Sequence, residues 1–188
     1  MCSELRQISR AEGHVFWLFG LSGAGKSALA TALITDLRTR GFAVLALDGD
    51  ALRAGLGQGL GFSDSDRTEN LRRAVEVAKL GVTSGLCVVA SFITPRSSHR
   101  QLISQIVGAA NLSTIHVDAP LAVCVERDPK ALYARARAGQ VTQMTGLSSA
   151  FEAPLDADLV IRTASEEITL SSAKLLGFAL ARLARTVS

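Results

Sequence analysis

Disulfide frameworks, basic blocks and long apolar runs are all missing from this chain. Its three cysteines, Cys2, Cys87 and Cys124, are odd in number and widely spaced. They form neither a disulfide framework nor a zinc pattern, which points to a reducing, cytoplasmic setting. Cys87 opens an apolar run and Cys124 sits in an amphipathic one, so both are expected as buried thiols. Aromatic residues make up 5%, with one tryptophan and one tyrosine, and no Lys/Arg stripe is interleaved with them. That excludes a nucleic-acid track. The longest apolar stretch, residues 86–93, is far too short to cross a bilayer, so no membrane partner is expected. Residues 1–12 are polar and mixed in charge, unlike a signal peptide, and read as a loose arm. There is no internal repeat. The net charge of +3 and a pI near 9.0 are mild and suit a small anionic ligand.

What is present begins with length: 188 residues suffice for one domain with a full core, here residues 13–188. The run Gly20-Leu21-Ser22-Gly23-Ala24-Gly25-Lys26-Ser27 matches G-x-x-x-x-G-K-[ST] at every fixed position. An apolar strand-like run, 15–19, precedes it and a helical pattern, from Lys26 to about Arg40, follows. A strand, a glycine-rich turn and a helix together form a phosphate cradle. Inward-turned backbone N–H groups and the helix N-terminus attract phosphate. Lys26 would reach the β- and γ-phosphates of ATP, and the Ser27 hydroxyl would coordinate Mg²⁺.

Beyond the loop, apolar strand-like runs alternate with helical patterns. Strands are predicted at 43–47, 87–93, 113–117 and 159–161, and helices at 67–83, 98–107, 121–127 and 166–185, with a short helix from Ala51. Residues 63–66 offer several N-caps for the helix after them. The pattern predicts an α/β fold: a parallel five-stranded sheet with helices on both faces, the three-layer P-loop kinase arrangement. Ligands bind such sheets outside the carboxyl ends of the strands. Gly20, Asp48, Asp50, Thr94 and Asp118 all fall at such ends. The stretch at about 128–154 is expected as a mobile lid. No Asn-Lys-x-Asp guanine reader is present, and the chain is too small for a motor, so a kinase acting on a small molecule fits best. Asp48 and Asp50 are spaced by two at a strand end. One could orient Mg²⁺ waters and the other accept a proton from an attacking hydroxyl; the Asp-Gly pair alone could equally mark a turn.

Six blocks in order carry a family resemblance. Leu47-Asp48-Gly49-Asp50-Ala51-Leu52-Arg53, Gly61-Phe62-Ser63-Asp64-Ser65-Asp66-Arg67-Thr68-Glu69-Asn70, Ser91-Phe92-Ile93-Thr94-Pro95, Val117-Asp118-Ala119-Pro120, Glu126-Arg127-Asp128-Pro129-Lys130 and Thr145-Gly146 with Phe151-Glu152-Ala153-Pro154 resemble segments of the adenylylsulfate kinases. The resemblance covers about 13–161. It implies transfer of the ATP γ-phosphoryl group to the 3′-hydroxyl of adenylyl sulfate, giving 3′-phosphoadenylyl sulfate. By the same resemblance, Asp50 accepts the hydroxyl proton and Asp48 serves Mg²⁺. Arg53, Arg67 and Asn70 hold the acceptor, Phe62 stacks on its adenine, and Ile93 walls the pocket. Arg127 lies over the ATP adenine and Lys130 enters with the lid. It further implies a homodimer and a separate ATP sulfurylase upstream, since this sequence carries no sulfurylase domain.

Three positions depart from the family's pattern. Thr94 stands where serine is usual, and keeps the hydroxyl. Arg96-Ser97-Ser98-His99-Arg100 replaces an aromatic followed by basic residues, with His99 expected on a helix surface. Met144 stands where a phenylalanine usually faces Phe62 across the adenine, and a thioether packs more softly and less selectively on a ring. A 3′-hydroxyl kinase of another activated nucleotide, such as a cytidine diphosphate derivative, therefore stands as an alternative acceptor reading. A non-catalytic nucleotide-binding subunit is a third, opposed by the retained Lys26, Ser27, Asp48 and Asp50.

Overall fold

A computed structural model describes residues 13–61, 63–140 and 143–185. The arm at 1–12 and Phe62 lie outside the described residues. Five strands, β1 (His14–Phe19), β2 (Val44–Asp48), β3 (Cys87–Phe92), β4 (Leu112–Asp118) and β5 (Leu159–Arg162), form one sheet in the order β2-β3-β1-β4-β5. Every pairing is parallel. Among the described residues seven α-helices connect or follow them: α1 (Lys26–Thr39), α2 (Gly49–Ala54), α3 (Asp64–Thr83), α4 (Ser97–Val107), α5 (Leu121–Arg127), α6 (Leu132–Arg137) and α7 (Ile168–Arg185).

The central strand explains the layering. All six residues of β1 are buried, as expected of a strand covered on both faces. Because successive side chains point to opposite faces, Phe16 and Leu18 join one core with Leu29 and Leu33 of α1 and Leu175 and Ala179 of α7. Val15, Trp17 and Phe19 join a second core with Leu71, Val75 and Ala78 of α3 and Ile103 of α4. Cys87 and Cys124 are buried free thiols, and burial pushes the Cys87 thiol up to about 12.

Several boundaries differ from the sequence reading, each for a local reason. α3 starts at Asp64, a turn earlier than expected. Ser63 is the cap that is used: its Oγ accepts the Asp66 N–H at 3.1 Å and donates to the Asp66 carboxylate at 2.6 Å. α2 begins at Gly49 because Asp48 caps it. The basic segment after Pro129 contains a helix, α6, whose Tyr133 and Ala134 N–H groups are held by the Asp128 carboxylate at 3.2 and 3.0 Å. His99 is a correction. It faces inward from α4 and is only 5% exposed, with its Nε2 3.2 Å from Thr68 Oγ1 on α3. The Thr68 hydroxyl already donates to Asp64 O at 2.8 Å, so His99 Nε2 is the donor. Packing of α4 on α3 determined this orientation, which the short α4 pattern alone did not.

His14 sits at the buried start of β1, its Nε2 2.9 Å from Ser113 Oγ of β4. Burial, with the Arg182 charge adding to it, pushes its pKa down to about 4. The unfolded chain therefore binds a proton that the folded chain refuses between about pH 4 and 6.5. Stability should fall as the pH drops through that window, with His14 contributing on the order of 2 kcal/mol. Urea unfolding of His14→Gln between pH 7 and 4 should show a correspondingly shallower loss.

Candidate active site

The phosphate loop joins the end of β1 to α1, and sterics fix its glycines. A Cβ on Gly20 would stand 2.2 Å from Val117 O, and one on Gly23 2.7 Å from Cys124 O, with φ of +149° and +78°. The loop is thus wedged between the ends of β4 and α5, where no side chain fits. Lys26 opens α1 and is buried, its Nζ donating to Leu21 O at 2.7 Å. Burial, with the Lys130 charge adding to it, lowers the Lys26 pKa to about 8 against the opposing pull of Asp50 and Asp48. An anionic phosphate would restore full protonation.

A cavity of about 930 Å³ opens beside the loop at the carboxyl ends of the strands. It brings together most of the residues singled out in the sequence. Ser22, Gly23, Gly25, Lys26 and Ser27 line its phosphate side; Asp48, Asp50, Arg53, Arg67, Asn70, Ile93 and Thr94 line the opposite side; Arg127, Lys130 and Met144 come from the lid side. Gly20, Leu21 and Ala24 stand outside that lining, as loop backbone and, for Ala24, as core.

The local geometry assigns partners. Asp48 Oδ1 accepts the Asp50 and Ala51 N–H groups at 3.0 and 3.3 Å, so one carboxylate oxygen is committed to capping α2. Asp50 lies in the first turn of α2 and its carboxylate pairs with Lys130 Nζ. Arg53 Nη1 donates to Gly61 O at 2.8 Å, closing the glycine-rich loop 55–61. Asn70 is buried beneath that loop; a Cβ on Gly57 would stand 2.2 Å from its Oδ1. Arg67 reaches across to the lid, where Nη1 donates to Thr145 Oγ1 at 3.0 Å and Nη2 to Gln143 O. Met144, between these partners, is buried and packs into the α1–α7 core while facing the cavity.

Arg127 ends α5 and donates to Thr163 Oγ1 at 3.2 Å and Thr163 O at 2.7 Å. Thr163 in turn donates to Ala24 O at 2.8 Å and packs on Gly25. Thr163 and Thr145 also line the cavity; the sequence reading gave neither a site role, and Thr145 entered it only within the Thr145-Gly146 block. The lid's return stem is anchored to the body: Glu152 Oε2 accepts the Ser97 N–H at 2.6 Å, and Glu152 N–H donates to Pro95 O at 2.8 Å. Phe151 stacks on His116, which stacks on Phe19.

A parallel sheet with a glycine-rich loop at the end of its central strand, a buried lysine opening the next helix, paired aspartates and a basic lid defines a P-loop kinase. The sequence model of the family described as adenylylsulphate kinase matches residues 12–162. The chain belongs to the adenylyl-sulfate kinase family. It is 53% identical over 156 residues to an adenylyl-sulfate kinase of Paraburkholderia xenovorans, covering 83% of this chain and 87% of the relative. It is 48% identical over 166 residues to one of Shewanella amazonensis, covering 88% and 84%. The APS kinase CysC of Mycobacterium tuberculosis, solved in complex with AMPPNP and APS, superposes with a TM-score of 0.86 at 38% identity, covering 90% of this chain and 98% of that one.

The turn 144–149 folds on itself, with the Leu147, Ser148 and Ser149 N–H groups all donating to Met144 O, and Arg67 is a tether to α3. Removing that tether in Arg67→Ala should raise amide hydrogen exchange across 144–149 by roughly tenfold, the effect of losing about 1.4 kcal/mol of local protection. Mass-resolved exchange measures this, with exchange in β1 unchanged.

Proposed function

We propose that this chain transfers the γ-phosphoryl group of ATP to the 3′-hydroxyl of adenylyl sulfate, giving 3′-phosphoadenylyl sulfate and ADP. The observation that carries it is a cavity in which the phosphate loop faces Asp50 and the arginines of α2 and α3. Family membership supplies the acceptor. Adenylyl sulfate presents a phosphosulfate anion, and the planar forks of Arg53 and Arg67 suit its oxygens. Asn70, one turn after Arg67 on α3, offers an amide beside them.

The reaction needs in-line positioning and charge neutralisation more than covalent chemistry. In this reading Lys26 and the loop N–H groups hold the transferring phosphates, and Arg127 with Thr163 frames the donor base. Asp50 accepts the proton of the 3′-hydroxyl as the phosphoryl group arrives. Its pairing with Lys130 brings the lid stem over the reacting atoms. The Ser27 hydroxyl and the uncommitted oxygen of Asp48 are hard oxygen donors that suit Mg²⁺, an ion that retains water and phosphate ligands rather than needing a full protein cage. Mg²⁺ would neutralise charge on the donor phosphates. The closed lid excludes water, so that ATP is transferred rather than hydrolysed.

Among the described residues no helix is long and apolar enough to cross a membrane. A homodimer, a cytoplasmic location and a separate ATP sulfurylase as the upstream enzyme complete the proposal on the strength of the family resemblance. A single domain at 13–188, with a lid at 128–154, is the organisation it assumes.

Met144 favours one alternative acceptor, since a thioether in place of an aromatic ring relaxes the selection for purine. With ATP·Mg²⁺ and either adenylyl sulfate or a cytidine diphosphate derivative, ADP release should follow adenylyl sulfate. Turnover of the cytidine compound alone would reassign the acceptor, and turnover of neither would leave only nucleotide binding. Asp50→Asn should lower kcat by roughly 10²–10⁴-fold with ATP binding retained in equilibrium titration; unchanged turnover would remove Asp50 from the base role.

A further inference from the structure

Thr94 is unusual on three counts. It is a β-branched residue at φ +44°, a conformation that such side chains adopt rarely. It also precedes Pro95, which further restricts its backbone. And it is buried at the cavity wall, 4% exposed. Strain of this kind persists where the surroundings over-determine it, and it concentrates at functional sites.

What fixes it is the chain's one tryptophan. Trp17, in the middle of β1 and fully buried, donates its Nε1–H to Thr94 Oγ1 at 3.0 Å. Its ring is stacked on Phe92, with centroids 4.7 Å apart and planes 17° apart. A threonine hydroxyl has one proton and two acceptor sites. The indole occupies one acceptor site, and the hydroxyl proton has no acceptor among the described residues. The geometry points to Trp17 as a positioning residue of the phosphoryl transfer: the indole N–H orients the Thr94 hydroxyl so that its proton serves an oxygen of the acceptor nucleotide.

A second contact joins the same two strand ends. Gly20 N–H, at the entrance to the phosphate loop, donates to Ile93 O at 3.2 Å. The donor loop and the acceptor wall are thus joined twice, once by backbone and once through Trp17. Productive transfer needs reacting atoms within about 3–3.5 Å and aligned. An acceptor wall that shifts relative to the loop therefore costs turnover more than donor binding.

This inference rests on the reading that the cavity takes an acceptor nucleotide. The variants are Trp17→Phe, which keeps a ring but removes the N–H, and Thr94→Val, which removes the hydroxyl at nearly constant volume. Each should lower kcat about tenfold with KM for ATP within about twofold, and the double variant should be no worse than either alone, because both remove one unit. Thr94→Ser should recover turnover to within about threefold of the parent. Without any ligand, the emission of Trp17 should shift to the blue in Thr94→Val as the indole loses its partner. Additive losses in the double variant, kcat unchanged in folded Thr94→Val, or no emission shift would each overturn the role. The kinetics use adenylyl sulfate, or the cytidine-based acceptor if the parent protein turns over only that. Failure of the acceptor assignment is thereby seen in the parent, and failure of the Trp17 role only in the variants.

Discussion

The in-register parallel pairing of β1 with β3 is the constraint on which the site depends. Trp17 lies beside Ala90 and Phe19 beside Phe92, so the two strands end together. The chain leaving β1 becomes the phosphate loop, and the chain leaving β3 becomes the cavity wall at Ile93 and Thr94. A slip of one residue would turn Trp17 and Phe19 to the opposite core and move Thr94 away from the loop. Burial of β1 on both faces makes such a slip prohibitive, because every one of its side chains has a committed pocket. The site's precision is therefore a by-product of core packing.

Charge does the complementary work at the lid. Lys130 pairs with Asp50, Arg67 holds Thr145 and Gln143, and Glu152 holds the Ser97 N–H. Lys130, Asp50, Ser97 and Glu152 are exposed, and exposed polar contacts of this type are individually weak, whereas Thr145 is buried. In the proposed reaction that weakness suits a lid that opens for substrate and product. The rigid half of the site, with Lys26 buried and the loop glycines wedged against β4 and α5, is built from contacts that admit no such movement. The enzyme family's task of moving one charged group between two nucleotides without losing it to water needs both kinds of contact in one cavity.

Much of this was legible in the residues. The phosphate loop, the alternation of strands and helices, and the placement of Asp48, Asp50 and Thr94 at strand ends all depend on spacing within short segments. Fully buried strands read as unbroken apolar runs, and 15–19 and 87–90 do so. Ser63 as the α3 cap was one of four candidates, because several capping residues in a row are chemically equivalent until one of them meets the right N–H. His99 was misplaced because the cue for its burial lies 31 residues away, at Thr68.

The sequence by itself determined the donor chemistry and the sheet, because a glycine-rich loop between an apolar strand and a helix has its consequences within a few residues of itself. Only the tertiary structure decided how the cavity wall facing the phosphate loop is held. Arg67 meets Thr145 across 78 positions, Lys130 meets Asp50 across 80, and Trp17 meets Thr94 across 77. Such pairings are set by sheet order and helix packing. No local periodicity encodes them, since each partner taken alone is an ordinary surface arginine, a turn threonine or a core tryptophan.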